Sequence, residues 1–309
     1  MAYADQFHRQ AALLIRAIPF VAEESCFALK GGTAINLFVR DMPRLSVDID
    51  LTYLPIADRA ASLAEIDAAM GRIGRRIAKN IRGARVTAAR LKGDNAVSKQ
   101  FIEVDGVQIK IEVTPVLRGC LYGPSIRATS PRVEDEFGFA EVQVVSFADL
   151  YAGKLVAALD RQHPRDLFDV RDLLANEGLG AALRKAFVVY LLSHNRPVSE
   201  ILSPARLDMS REFQRGFEGM SAAPVTLDEL YRTREQLIAE ICGKMPAEHR
   251  RFLVSFEEGK PERDLLDAPG AEDLPAVRWR LQNLTVAGPR KRAELAKGLR
   301  KAVGLSASA

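Results

Sequence analysis

Residues 30–51 read KGGTAINLFVRDMPRLSVDIDL. A short apolar run, Phe27 to Leu29, leads into Lys30 and stops at Gly31-Gly32, and a helix-compatible segment follows over 33–40. Residues 45–54 then alternate. Val47, Ile49 and Leu51 face one way while Ser46, Asp48, Asp50 and Thr52 face the other, the period-2 pattern of a half-buried strand. Strand, glycine turn, helix and strand in that order predict an α/β unit.

Asp-x-Asp by itself says little. With 19 aspartates in 309 residues, roughly one such pair arises by chance, and two solvated acids on an exposed strand face are the plain reading. The surroundings add chemistry. Two carboxylates on one strand face repel unless a cation sits between them, and hard oxygen donors suit Mg²⁺ (or Mn²⁺). The Gly31-Gly32-Thr33 turn ahead of a helix offers backbone N–H groups to phosphates. Glu112, on the polar face of another expected strand, is the candidate third acid. Two metals in such a site activate a hydroxyl nucleophile and stabilise a leaving pyrophosphate, the chemistry of nucleotidyl transfer.

Upstream, a helix is expected over 4–18, with Pro19 ending it or opening the next turn. Downstream, a longer helix covers 60–81. Asp105-Gly106 between the alternating runs 101–104 and 107–113 predicts a tight hairpin, with Gln108, Lys110 and Glu112 on one face. One more strand fits 141–145. Thereafter the pattern is helical: a helix from 147 carrying Lys154 and Arg161, then 165–176, 181–194, 227–244 with a Thr226/Glu229 capping box, 247–258 and 274–284. Trp279, with Val277 and Leu281 nearby, reads as core. This divides the chain into an α/β domain with a small mixed sheet, 1–178, and a helical C-terminal domain with a basic tail, 179–309.

Composition excludes several classes. At 48% hydrophobic the chain buries a substantial core, and its longest apolar run, 186–192, is far short of the ~20 residues of a membrane span. Three widely spaced cysteines, Cys26, Cys120 and Cys242, with no C-x-x-C pair, and an N-terminus without an apolar signal segment fit a reduced, cytoplasmic protein. The net charge of +4 is unevenly placed. Arg72, Arg75, Arg76, Lys79, Arg82, Arg85, Arg90 and Lys92 follow one another with no acid between them, and Arg290, Lys291, Arg292, Lys297, Arg300 and Lys301 crowd the tail around a lone Glu294. The first cluster reads as a groove for a polyanionic acceptor or as a solvated helix face, and the tail as a solubilising end.

The segment 30–51 resembles the signature of the AbiEii/AbiGii-type (MenT-like) nucleotidyltransferase toxins of the DNA polymerase β-like superfamily. Lys154-Leu-Val-Ala-Ala, Arg161 and Arg165-Asp166-Leu-Phe-Asp169-Val resemble the second family signature, and 252–259 with 274–284 resemble its C-terminal part. The resemblance implies a polymerase β-like fold and a toxin of a type IV toxin–antitoxin or abortive-infection system. Such an enzyme transfers NMP from NTP to an RNA acceptor, with the tRNA 3′ end favoured. It implies Gly31, Gly32 and Thr33 on the triphosphate, Arg44 and Ser46 orienting phosphates or the strand, and Asp48 and Asp50 on Mg²⁺. Lys154 would neutralise phosphate, with Asp166 or its rival Asp169 as the last-motif acid. Arg72, Arg75, Arg76, Lys79 and Arg82 would hold the acceptor, and a separately encoded antitoxin would oppose the toxin without a stable complex. Thr33 stands where the wider superfamily usually has serine. Nucleotidylation of a protein or small molecule, and a non-catalytic nucleotide- or RNA-binding module, are the alternatives.

Overall fold

The structure is a computed structural model and describes residues 3–91, 93–94 and 96–306; Lys92 of the first basic cluster and the last three residues of the tail lie outside them. The chain divides into two compact units, Met1–Ser146 with Phe217–Pro224, and Phe147–Gly216 with Val225–Ala309. The class is α/β, as the alternation of elements implies.

The first unit runs α1 (Asp5–Ala22), β1 (Phe27–Lys30) and α2 (Gly31–Thr33, continued by a π-helical Ala34–Val39), then β2 (Asp48–Tyr53), α3 (Arg59–Asn80) and β3 (Arg85–Arg90). It continues with β4 (Val97–Val104), β5 (Val107–Val113), β6 (Ser125–Ala128), α4 (Pro131–Phe137) and β7 (Glu141–Val144). The seven strands form one mixed sheet in the order β3-β4-β5-β2-β1-β7-β6, with β2–β5 and β1–β7 parallel and the other pairs antiparallel. The Asp105-Gly106 hairpin forms as expected. Both residues take positive φ, +49° and +75°, as a two-residue turn between twisted strands demands, and Val104 faces Val107 across it.

α1 packs over β5 and β7 and α3 over β3 and β4, burying Leu14, Ile18 and Val21 from one and Ile66, Met70, Ile73 and Ile77 from the other. Burial of Val21 explains why α1 does not end at Pro19: another apolar turn is gained against the sheet, at the cost of the one backbone bond that proline cannot make. The segment 217–224 returns to this unit. Met220 O accepts from Leu45 N at 2.8 Å and Ala222 N donates to Pro43 O at 2.9 Å, so the chain before β2 is clamped from outside the motif.

The second unit is helical: α5 (Phe147–Asp160), α6 (Pro164–Asn176), α7 (Ala181–Leu192), α8 (Val198–Leu202), α9 (Ser210–Gly216), α10 (Leu227–Ile238, followed by a π-helical Ala239–Gly243), α11 (Ala247–Glu257) and α12 (Pro275–Ala302). α5 packs on α7 and α6 on α10, so the unit begins at Phe147 and not at 179; the pair that sequence order assigns to the α/β domain buries its apolar faces among the later helices. Thr226 and Glu229 form the capping box, the side chain of each bonding the other's backbone N–H. The basic tail is not a loose end. It is the second half of α12, set off from the first by a non-helical Gly288 (φ 81°, ψ 169°) and Pro289. Among the described residues, no helix is long and apolar enough to cross a membrane.

Candidate active site

β1 delivers the chain to Gly31, whose φ of +73° turns it into α2. A Cβ at Gly31 would lie 2.6 Å from Asp50 Oδ2, and one at Gly32 would lie 2.7 Å from Arg44 Nη2. Glycine is therefore required twice, once for backbone conformation and once for close approach. Thr33 is fully buried; its hydroxyl lies 2.9 Å from Ser46 Oγ and donates to the backbone carbonyl of Asp48. Arg44, 1% exposed, lies against Gly32 and donates to Leu45 O at 2.8 Å. Thr33, Arg44 and Ser46 thus fasten the glycine turn to the entry of β2, while the half-buried Gly31 and Gly32 form its accessible part.

Asp48 and Asp50 alternate with buried Ile49 and Leu51 and share the open face of β2. Register places Lys30 opposite Asp50 on one side, and Lys110 opposite Asp48 with Glu112 opposite Asp50 on the other. Glu112 reaches the expected face, but its oxygens are taken: Oε1 lies 3.1 Å from Lys99 Nζ and Oε2 2.9 Å from Lys110 Nζ. Lys110 Nζ also lies 3.9 Å from Asp48 Oδ1. Among the described residues no three carboxylate, histidine or cysteine side chains are gathered into a group that could hold a metal ion. Asp48 and Asp50 keep the chemistry a hard divalent cation needs: two carboxylates on one face, Asp48 being about one-third exposed.

The lysines carry the electrostatics of this face. Burial pushes the Lys110 ammonium down, but the hydrogen bond to Glu112 and the charges of Asp48, Asp50 and Glu112 outweigh it and hold it above the usual lysine value. Burial likewise raises Glu112, and Lys110 and Lys99 reverse the shift, keeping it ionised. At Lys30 burial wins over the attraction of Asp50 and Glu112, so its ammonium is held below the usual range; it donates to Thr114 Oγ1 at 3.2 Å.

In the second unit, α5 presents Lys154 to α6. Its Nζ lies 2.7 Å from Asp166 Oδ1 and 3.0 Å from Asp169 Oδ2. Arg161 holds Asp166 through both oxygens, at 2.6 and 3.0 Å. Burial alone would raise the Asp166 carboxyl; Lys154 and Arg161 overcome it and hold it far below the usual carboxylate range. Both candidate last-motif acids, Asp166 and Asp169, engage the one lysine. His163 caps α6, its Nδ1 accepting from Arg165 N at 3.1 Å.

The sequence model of the nucleotidyl transferase AbiEii toxin family, of type IV toxin–antitoxin systems, matches residues 12–283. The chain belongs to the AbiEii family. It is a nucleotidyltransferase of the toxin kind, and the match spans both units. MenT4, a nucleotidyltransferase toxin of Mycobacterium tuberculosis, is similar in fold, with a TM-score of 0.62 and 16% identity over 90% of this chain and 93% of that one. No curated protein matches the sequence.

This AbiEii chain divides the first basic cluster. Arg72 grips the buried Glu24 with two hydrogen bonds, at 2.9 and 2.6 Å, and Arg76 joins Glu24 at 2.6 Å and Glu23 at 2.9 Å. Arg85 pairs with Glu103 and Arg90 with Asp67 across the sheet edge. Arg75, Lys79 and Arg82 remain exposed. Trp279, expected in the core, is 56% exposed. Lys30, Lys99 and Lys110 were not singled out from sequence, although strand alternation alone puts Lys110 beside Glu112, and Lys30 immediately precedes the glycine turn.

Proposed function

We propose that the protein transfers a nucleoside monophosphate from an NTP to the 3′ end of tRNA, releasing pyrophosphate, and acts in the cytoplasm against its own host as a toxin. A separately encoded antitoxin opposes it without a stable complex. The observation that carries this reading is the contact between the glycine turn and β2: the backbone of Gly31 passes so close to Asp50 that no side chain fits, which sets a phosphate-binding turn beside two carboxylates on one open face.

In this reading Gly31 and Gly32 receive the triphosphate, with Thr33, Arg44 and Ser46 holding the turn in place. Asp48 and Asp50 hold Mg²⁺ (or Mn²⁺), which when bound supplies charge neutralisation at the phosphates and activation of the acceptor hydroxyl. Glu112, tied to Lys99 and Lys110, is a positioning residue for Lys110 and not a ligand. Lys154, Asp166 and Asp169 are assigned to positioning, because the charge of Lys154 is already met by two carboxylates. Arg75, Lys79 and Arg82 are the exposed bases offered to the acceptor.

The test incubates purified protein with Mg²⁺, each α-labelled NTP and total tRNA. Label entering RNA with wild-type protein and vanishing in Asp48→Asn is the expected result. Equal labelling by the mutant, or label found only in protein, overturns the reading.

A further inference from the structure

The second half of α12 lines a groove of about 610 Å³ within the helical unit, walled by Lys260, Arg292, Lys297, Arg300 and Lys301. Its floor is a proline, two alanines and a leucine. The single carboxylate in the wall, Glu258, is consumed by Arg300 at 2.5 Å. Arg292 Nη1 donates to the carbonyl oxygens of Leu284 and Thr285, at 3.2 and 3.5 Å, which tethers its guanidinium while leaving its charge unmatched. Lys260, Lys297 and Lys301 are exposed, and the last two stand one helical turn apart on the same face.

We propose that this groove is a docking surface for the phosphate backbone of the RNA acceptor; the inference rests on the RNA reading above. Charge complementarity selects the occupant. Five bases against one already-paired acid make a strongly positive trough, and ammonium groups on flexible stems bind phosphates as point charges without regard to sequence. The floor explains the rest. The proline and two alanines let a sugar–phosphate backbone approach the helix closely. The Gly288–Pro289 break is what makes the groove possible: it turns the tail helix out of line with the first half of α12 and leaves Arg292 to satisfy the carbonyls exposed there.

Anisotropy of labelled tRNA over a salt series tests the proposal on the full chain. The variant Lys260→Ala/Lys297→Ala/Lys301→Ala removes three exposed side chains and is expected to fold normally, as checked by its circular dichroism and melting curve. At about 0.15 M salt its affinity should drop about tenfold, and the log–log salt slope should become shallower by about 2, near 0.7 for each phosphate no longer neutralised. The corresponding triple Lys→Arg variant should bind like wild type. Unchanged affinity and slope in the alanine variant overturn the proposal. Wild-type protein that binds anionic phospholipid vesicles but not tRNA overturns it as well. Wild-type protein that binds tRNA through these lysines but transfers no label to it sinks only the activity reading, so the two failures are separable.

Discussion

Asp48 and Glu112 are each about one-third exposed, with Lys99 and Lys110 between and beside them, whereas Asp166 and Asp169 are no more than 1% exposed around Lys154. Both clusters join lysine to carboxylate, and sequence motifs mark both as chemical. They differ in what a ligand would meet. On the β2–β5 face a cation arriving from solvent meets the partly exposed Asp48 carboxylate, whose contact to Lys110 is a loose 3.9 Å. In the α5–α6 cluster the charges are already matched at 2.6–3.0 Å and closed off, so a ligand would have to break an assembled ion-pair network. Openness separates a face that a ligand can reach from a cluster it reaches only by breaking ion pairs.

The hardest way to break this contrast is at Asp48. Asp48→Asn keeps the size of the side chain and removes its charge. Loss of a metal-ligating carboxylate withdraws several kcal/mol of transition-state stabilisation, so nucleotidyl transfer should fall about a thousandfold while the melting temperature holds or rises as like-charge repulsion is relieved. Initial-rate labelling and a melting curve on the same sample check both halves.

Asp166→Ala should show the reverse. Removing one of the two buried carboxylates leaves Asp169 alone to hold Lys154 and takes away the oxygens that bind Arg161, which costs about 3 kcal/mol in urea unfolding. The pH dependence follows from the direction of the shift. The folded-state value of Asp166 is depressed, so its contribution is complete above the ordinary carboxylate range and fades as pH falls below about 4. Wild-type stability should therefore drop on acidification more steeply than that of Asp166→Ala, and parallel curves would mean that the cluster does not hold the fold.

Gly31→Ala tests the turn itself. Placing alanine at φ +73° costs about 1–2 kcal/mol, and its methyl group would press on the Asp50 carboxylate. A shift of that carboxylate by about 1 Å lowers turnover about a hundredfold, far more than it lowers stability. Proportionate loss of both would show that the glycine serves folding alone.

Local rules carried the reading of these regions only where the structure is local. The glycine turn, the alternation of Asp48 and Asp50, the Asp105-Gly106 hairpin and the Thr226 capping box each depend on residues within a few positions of one another. The misreadings involve partners far along the chain. Glu24 captures Arg72 and Arg76 from 48 and 52 residues away, which ties down two of the five bases expected at the acceptor. Residues 217–224 clamp the entry to β2 with no sequence mark. β3, with the burial pattern of an exposed edge strand, lacks the apolar alternation by which strands are found. Pro19 inside α1 and exposed Trp279 show propensity and hydrophobicity yielding to packing. Family signatures located the α5–α6 cluster, but its burial and the sharing of Lys154 by two carboxylates come from packing that no local pattern marks.

The smallest expected effect refines the comparison from the open side. Lys110 competes with an incoming cation for Asp48 and for the field of Glu112, and partly exposed pairs of this kind are worth about 0.2–1 kcal/mol. Lys110→Met should then tighten Mn²⁺ binding to the nucleotide-free protein about two- to fivefold, read by titration with the paramagnetic ion. Turnover need not improve, because the same ammonium is available to a phosphate once the metal has displaced it. Weaker Mn²⁺ binding in the variant would mean that Lys110 holds Glu112 and Asp48 in place for the metal. The lysine of the open face would then be a positioning group like Lys154, and exposure would no longer divide the two clusters.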